Sequence, residues 1–282
     1  MLDRKIALVV NPKAGKGKAM AVAGILSGKL YHFAVQYNLF NDYWPEHFDG
    51  YSEVWLIGGD GTINYFINRY PDITIPIALF KGGTGDDFAF HLYGEADWKQ
   101  QFVIVLKATP KPVDAGKCND KLFLVGVGIG FEGEILKSMH TIRTIGGHLG
   151  YYLVVLKKIF SFKEHHFKVY GQELIADEKF LLVEINNTSR TGGGFTVSPD
   201  ARSDDGLLNL VLCKPLTILQ RMKYLSKVKK GRQLSLPLIS QYISKTFIIE
   251  CNEILSAHID GELLVAKRFE FEVIENKFNF IF

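Results

Sequence analysis

Between residue 5 and about residue 110, unbroken apolar runs alternate with segments of helical spacing. Ile6 to Val10 is a continuous apolar run and predicts a buried strand. A loop over residues 11–18 leads into a helix over Ala19 to Leu30, a strand over His32 to Phe40 and a short helix around Trp44 to Phe48. Glu53 to Ile57 and Ile75 to Phe80 read as strands, with helices over Ile63 to Tyr70 and from Asp87 to Leu92. Strands without polar alternation are covered on both faces. Their alternation with helices predicts a Rossmann-like, doubly wound parallel sheet of the α/β class.

From about Pro110 the texture changes to short strand-like runs: Lys121 to Val127, Phe167 to Tyr170, Phe180 to Asn186, Gly206 to Cys213, Thr246 to Glu250, Glu262 to Val265 and Arg268 to Ile274. This spacing predicts an all-β second domain, a β-sandwich. Helices are expected to be inserted over Glu132 to His140, Leu149 to Ser161 and Leu216 to Gly231. The expected domains are 1–112 and 113–282. The apolar tail, residues 276–282, is expected to dock back on the first domain.

With 282 residues and 47% hydrophobic positions, two real cores are affordable. A formal net charge of +3 gives no global case for nucleic acid, so no nucleic-acid partner is expected. Cys118, Cys213 and Cys251 are too few and too scattered for a metal pattern or a disulfide framework, which suits a reducing interior. No signal-peptide pattern opens the chain. Its longest apolar run, Leu122 to Phe131, is far short of the roughly 20 residues a bilayer span needs. The expectation is a soluble, cytoplasmic protein that at most visits a membrane surface.

The chemistry lies in two glycine turns at predicted strand ends: Gly58-Gly59-Asp60-Gly61-Thr62 and Gly82-Gly83-Thr84-Gly85-Asp86-Asp87. Turns of this composition let backbone N–H groups converge on an anion, and phosphates fit them. Asp60 among them makes sense beside a magnesium-bound nucleotide or as an acceptor from backbone or sugar. The alternative for the first turn is a plain Asp-containing bend. Thr84 offers a hydroxyl, while Asp86 and Asp87 are candidate helix caps. Gly15-Lys16-Gly17-Lys18 is not a Walker loop, since Ala19 stands where the hydroxyl residue belongs. Asn11, at the first strand's end, is suited to holding a loop or a ribose hydroxyl.

Gly58-Gly59-Asp60-Gly61-Thr62-Ile63-Asn64, Gly83-Thr84-Gly85-Asp86-Asp87-Phe88-Ala89 and the opening Asn11-Pro12-Lys13-Ala14-Gly15 together resemble the diacylglycerol kinase catalytic family, which includes soluble bacterial lipid kinases and sphingosine and ceramide kinases. The resemblance spans nearly the whole chain. It implies a lipid kinase that uses ATP and Mg²⁺, with the nucleotide between the two domains and a lipid as substrate. Asn11, Gly58, Gly59, Asp60, Gly61, Thr62, Asn64, Gly83, Thr84 and Gly85 would contact the nucleotide, and Asp60 would assist catalysis. Pro199 to Leu207 is similar to a magnesium loop of the bacterial members, with the Asp205 carboxylate and the carbonyls of Arg202 and Leu207 as implied ligands; a plain Asp-Gly turn is the alternative. Asp260-Gly261-Glu262 resembles the family's Asp-Gly-Glu motif. It makes Glu262 the implied base for the substrate hydroxyl, with Asp260 positioning it or a metal.

Two positions depart from the family pattern. Tyr65 stands where it usually has Glu, and Asp86 where it usually has Asn, which adds negative charge near the phosphate turns. Two rival readings remain at this stage. An NAD kinase shares Gly-Gly-Asp-Gly but usually follows it with Gly-x-x-Gly-Phe-Leu. A nucleotide or lipid sensor without turnover would explain the two departures. The basic segment Arg221 to Arg232 suits anionic headgroups or a solvated helix face. Leu149 to Phe160 would floor a lipid cleft or fill a core. His165-His166 reads as partnerless surface, and pairing of exposed strand edges would give a homodimer.

Overall fold

The computed structural model describes residues 4–142 and 156–282. They form two units, residues 4–114 with 275–282 and residues 115–274. The first unit begins β1 (Lys5–Val10), α1 (Lys18–His32), β2 (Gln36–Phe40), β3 (Glu53–Gly58), α2 (Asp60–Arg69), β4 (Ile77–Lys81), α3 (Asp87–Tyr93) and α4 (Trp98–Lys107). The strands pair in parallel in the order β4-β3-β1-β2. Every residue of β3 and all but the first of β1 are buried, as their continuous apolar character demands. The chain winds one way from β1 to β2 and the opposite way from β3 to β4. Right-handed crossovers therefore place α1 and α2 on opposite faces. That reversal opens a crevice at the carboxyl ends of β1 and β3. Beneath it, buried Glu53 is held by Arg4 and by the Trp55 indole N–H at 3.0 Å.

The second unit is entered through β5 (Pro110–Cys118) and β6 (Lys121–Phe123). Then follow β7 (Gly126–Gly130), α5 (Phe131–Ile142), β8 (His165–Tyr170), β9 (Leu174–Phe180), β10 (Leu182–Asn186) and β11 (Leu208–Cys213). The chain closes with α6 (Ile218–Val228), β12 (Ile239–Ser244), β13 (Thr246–Ile259) and β14 (Glu262–Ile281). One antiparallel sheet runs β12-β11-β10-β7-β13. The long strand β13 serves two layers. Its first half pairs with β8, its second half with β7, and a register break between Glu250 and Leu255 makes the bend. Alternate residues such as Val127, Ile129, Val183, Ile185, Ala257 and Ile259 meet Phe167, Phe247, Phe269 and Phe271 in one core, the sandwich interior.

The last residues of β14 belong to the first unit. Phe280 pairs in parallel with Ile77 of β4, and the Tyr93 hydroxyl donates to the carbonyl of Ile281 at 2.7 Å. Phe278, Phe280 and Ile281 are buried there.

Several elements differ from the sequence pattern. Trp44 to Phe48 forms no helix. The Trp44 indole donates to Val10 O at 3.2 Å, Pro45 O accepts from Tyr70 Oη at 2.5 Å, and Phe48 packs on Phe66 and Tyr70, so side chains hold this segment. Helix α1 runs through His32 and turns at Ala34, with φ 52°, which shortens the strand expected from His32. β9 and β12 escape the pattern because polar residues break up their apolar positions, Asp-Glu-Lys in β9 and Ser-Gln in β12. β14 is one strand where two are expected: its backbone stays extended through exposed Lys267, the point at which its pairing with β13 shifts register. Residues 149–155 of the expected Leu149 to Ser161 helix lie outside the described residues, and residues 156–161 are helical.

Candidate active site

Three loops of the first unit meet where its winding reverses. The Asn11 amide donates to Thr62 Oγ1 at 3.0 Å, and its own oxygen accepts the Lys13 N–H. Gly82 N donates to Gly58 O at 2.9 Å. Gly59 and Gly83 stand back to back: a Cβ on Gly83 would lie 2.4 Å from the Gly59 Cα. The two turns therefore touch at their α-carbons, and only glycine permits that approach. The first loop joins them, since a Cβ on Gly15 would lie 2.3 Å from Gly82 O. Asn11, Gly58, Gly59, Asp60, Gly61, Thr62, Gly83, Thr84 and Gly85 are thus gathered in one place. Asn64 sits further along α2, buried, with its oxygens facing the Asn68 amide.

Helix α2 starts at Asp60 with no side chain capping it, so its first N–H groups and positive dipole end face this crevice. The carboxylates are placed differently from simple caps. Asp86 adopts φ 53° and does not cap α3; its Oδ1 accepts the Gly83 N–H at 2.8 Å. Asp60 reaches across instead, and its Oδ1 accepts the Phe88 N–H of α3 at 3.0 Å. Burial, and next the Asp87 carboxylate, push the Asp60 carboxyl up to about 7. Lys18, at the start of α1, lies 3.5 Å from Asp86 Oδ2 and answers the charge that Asp adds where Asn is usual. Sequence reasoning gave Lys18 no role. Tyr65, the other departure, packs edge-on against Trp44 and takes the Arg69 guanidinium on its hydroxyl.

In the second unit, Asp260 and Gly261 make the two-residue turn between β13 and β14, with φ 48° and 85°. The Asp260 carboxylate is buried and accepts N–H bonds from Leu124, Val125 and Gly126 at 2.7, 3.0 and 2.9 Å. Asp260, engaged by three backbone donors, is therefore a brace of the hairpin turn that leads into Glu262. Glu262, the first residue of β14, is exposed. Asn187, which sequence reasoning missed, clamps the same segment through its N–H to Val125 O and its amide to Leu124 O. An Asn pair ending an apolar strand is the signal that would have found it.

Asp205 Oδ1 accepts the Leu207 N–H at 3.0 Å, and Gly206 turns the loop at φ 70°. The Arg202 guanidinium pairs with Asp204, which leaves its carbonyl as the donor relevant to a metal. A carboxylate with backbone carbonyls is an all-oxygen set, which fits Mg²⁺. The histidines are not partnerless: His165 Nδ1 lies 2.7 Å from Glu253, and His166 Nε2 lies 3.5 Å from Asp177. No helix among the described residues is long and apolar enough to cross a membrane.

With this geometry in hand, comparisons with known proteins are informative. Residues 5–118 match the diacylglycerol kinase catalytic domain, and residues 125–281 match the YegS C-terminal NAD kinase beta sandwich-like domain. A diacylglycerol kinase of Mycobacterium tuberculosis is 24% identical over 92% of this chain and 88% of its own length. A diacylglycerol kinase structure from Bacillus anthracis superposes with a TM-score of 0.74 at 22% identity, covering 99% of this chain and 97% of that one. An NAD kinase from Archaeoglobus fulgidus, solved with ATP, is more distant, with a TM-score of 0.59 at 14% identity over 99% of this chain and 93% of that one. The chain belongs to the family that joins a diacylglycerol kinase catalytic domain to a YegS-type C-terminal sandwich.

Proposed function

We propose that the protein is a lipid kinase that moves the γ-phosphoryl group of ATP to the hydroxyl of a diacylglycerol-like lipid. One observation carries this reading: two glycine turns and an uncapped helix start converge at the winding reversal of the first unit. The α2 N–H groups and Thr84 would hold the phosphates, and Lys13, Lys16 and Lys18 add positive charge on the neighbouring loop and helix start. Asp60 would keep the two turns in register by holding the start of α3. Glu262 would take the proton from the lipid hydroxyl, so that an alcohol becomes a competent nucleophile. Mg²⁺, where bound, supplies charge neutralisation for the transferring phosphoryl group. Asp205, with the carbonyls of Arg202 and Leu207, would hold such an ion in the second unit.

A peripheral membrane contact belongs to the same reading. Helix α6 exposes Ile218, Leu219 and Met222 beside Lys223, and Leu219 is 80% exposed. Apolar anchors interleaved with lysines suit an anionic bilayer surface.

The test is phosphorylation with labelled ATP of diacylglycerol, phosphatidylglycerol, sphingosine and NAD side by side, with products identified by mass. Labelled phosphatidic acid is the expected outcome. Labelled NADP would favour the NAD kinase reading, against which Gly83 to Ala89 already speaks. ATP binding without any product would favour a sensor.

A further inference from the structure

We propose that Glu132, Glu184 and His258 form a binding site for a first-row divalent cation of the Zn²⁺ or Mn²⁺ kind, on the face of the second unit covered by α5. None of the three belongs to the glycine turns, the Asp205 loop or the Asp-Gly-Glu turn.

The strand register builds the site. Gly128 of β7 is paired with Glu184 of β10 on one side and with His258 of β13 on the other. The three positions form one row across three strands. Their neighbours Val127, Ile129, Val183, Ile185, Ala257 and Ile259 all enter the sandwich core, so Glu184 and His258 project from the opposite face. The middle of that row is a glycine and carries no side chain. A Cβ there would lie 2.1 Å from Glu132 Oε2 and 2.7 Å from His258 Nε2, so the space above Gly128 is where donor atoms gather.

Glu132 is delivered by α5. The next residue, Gly133, lets the helix backbone lie directly on β13: a Cβ on Gly133 would be 2.1 Å from Ser256 O. One donor atom from each of Glu132, Glu184 and His258 falls within 4.8 Å of the others. A cation bonded at about 2.1 Å spans donors up to roughly 4 Å apart, so small side-chain adjustments close the shell. Glu184 is fully buried and His258 is 8% exposed. Two carboxyl groups and an imidazole are the donor types that hold such an ion, and the burial of Glu184 and His258 keeps water from competing for it. One imidazole nitrogen with two carboxylate oxygens favours a first-row transition ion over Mg²⁺ or Ca²⁺. Bound there, the cation ties α5 to β10 and β13 two residues before the Asp260 turn.

The experiment uses the full chain, stripped with chelator and titrated with Zn²⁺ in excess Mg²⁺ by calorimetry, with metal content read by mass spectrometry. One Zn²⁺ per chain is expected. Glu184→Gln and His258→Gln should each weaken it by more than about tenfold, the least that even an outer-sphere partner of a metal site usually costs. Asp205→Asn should leave it unchanged. X-ray absorption on the Zn²⁺-loaded wild type needs no variant to fold, and should show one imidazole with oxygen neighbours. Absence of Zn²⁺ binding, a thiolate in the absorption shell, or equal binding by folded Glu184→Gln and wild type would overturn the proposal. In the first case the hydrogen bond between His258 Nε2 and Glu132 Oε2, not a cation, joins α5 to this row.

Discussion

At the scale of single residues, Asp86 shows how a departure from a family pattern is absorbed. A buried acid between glycine turns is costly, but its Oδ1 meets the Gly83 N–H and Lys18 stands 3.5 Å from its Oδ2. Lys18 is half exposed, so the pair should couple by about 1 kcal/mol or less. Lys18→Met is expected to raise the KM for ATP several-fold, and the double variant with Asp86→Asn to recover most of it; steady-state kinetics decide this. Asp60 sets a pH dependence. Its carboxyl is raised from 3.8 to about 7, first by burial and then by Asp87. The folded protein therefore holds this proton more tightly than the unfolded chain does. The stabilisation is full below about pH 3.8 and is lost as pH rises through 7. In melting scans from pH 5 to 8, Asp60→Asn should flatten the decline seen in the wild type. Glu262→Gln should lower turnover by about 10²–10⁴-fold while ATP binding stays intact, as removal of a general base predicts. Unchanged turnover would remove Glu262 from the mechanism.

Among the elements, the strand-turn-helix alternation was legible because β1 and β3 are apolar after their first residues, Lys5 and Glu53, and both glycine turns stood out by composition. Why those turns need so many glycines was not legible. Gly59 and Gly83 meet across 24 residues of chain, and only the folded sheet brings them together. The brace role of Asp260 was hidden for the same reason, since its donors lie more than 130 positions away. Strands β9 and β12 were missed because polar residues interrupt the apolar runs by which strands were recognised. Helix α6 was expected as a basic segment, yet Arg221 points inward, bonded to Ile159 O, Phe162 O and Glu164. Outward stand Ile218, Leu219 and Met222 beside Lys223, with Lys229, Lys230 and Arg232 exposed just beyond the helix. Vesicles rich in anionic lipid should sediment the protein, and a Leu219→Ser, Met222→Ser variant should sediment less at every salt concentration. Equal sedimentation would assign the membrane contact elsewhere.

For the whole molecule, the two-part plan followed from the change of texture near Pro110, and the apolar tail pointed to docking on the first domain but not to the strand it forms there. The tail reads as apolar, and only the structure makes it a parallel partner of β4. Phe278, Phe280 and Ile281 are each at most 3% exposed. Full burial of such side chains contributes about 1.5–3 kcal/mol apiece. Deletion of residues 275–282 should therefore lower stability by several kcal/mol, read by urea unfolding, and an unchanged midpoint would contradict this. The order of synthesis gives that strand a further consequence. Residues 275–282 leave the ribosome after the entire second unit, so the sheet of the first unit emerges with one flank open and stays so until they have been made. A nascent chain stalled before Glu275 should then be cut by protease within residues 4–114 at rates the finished protein never shows.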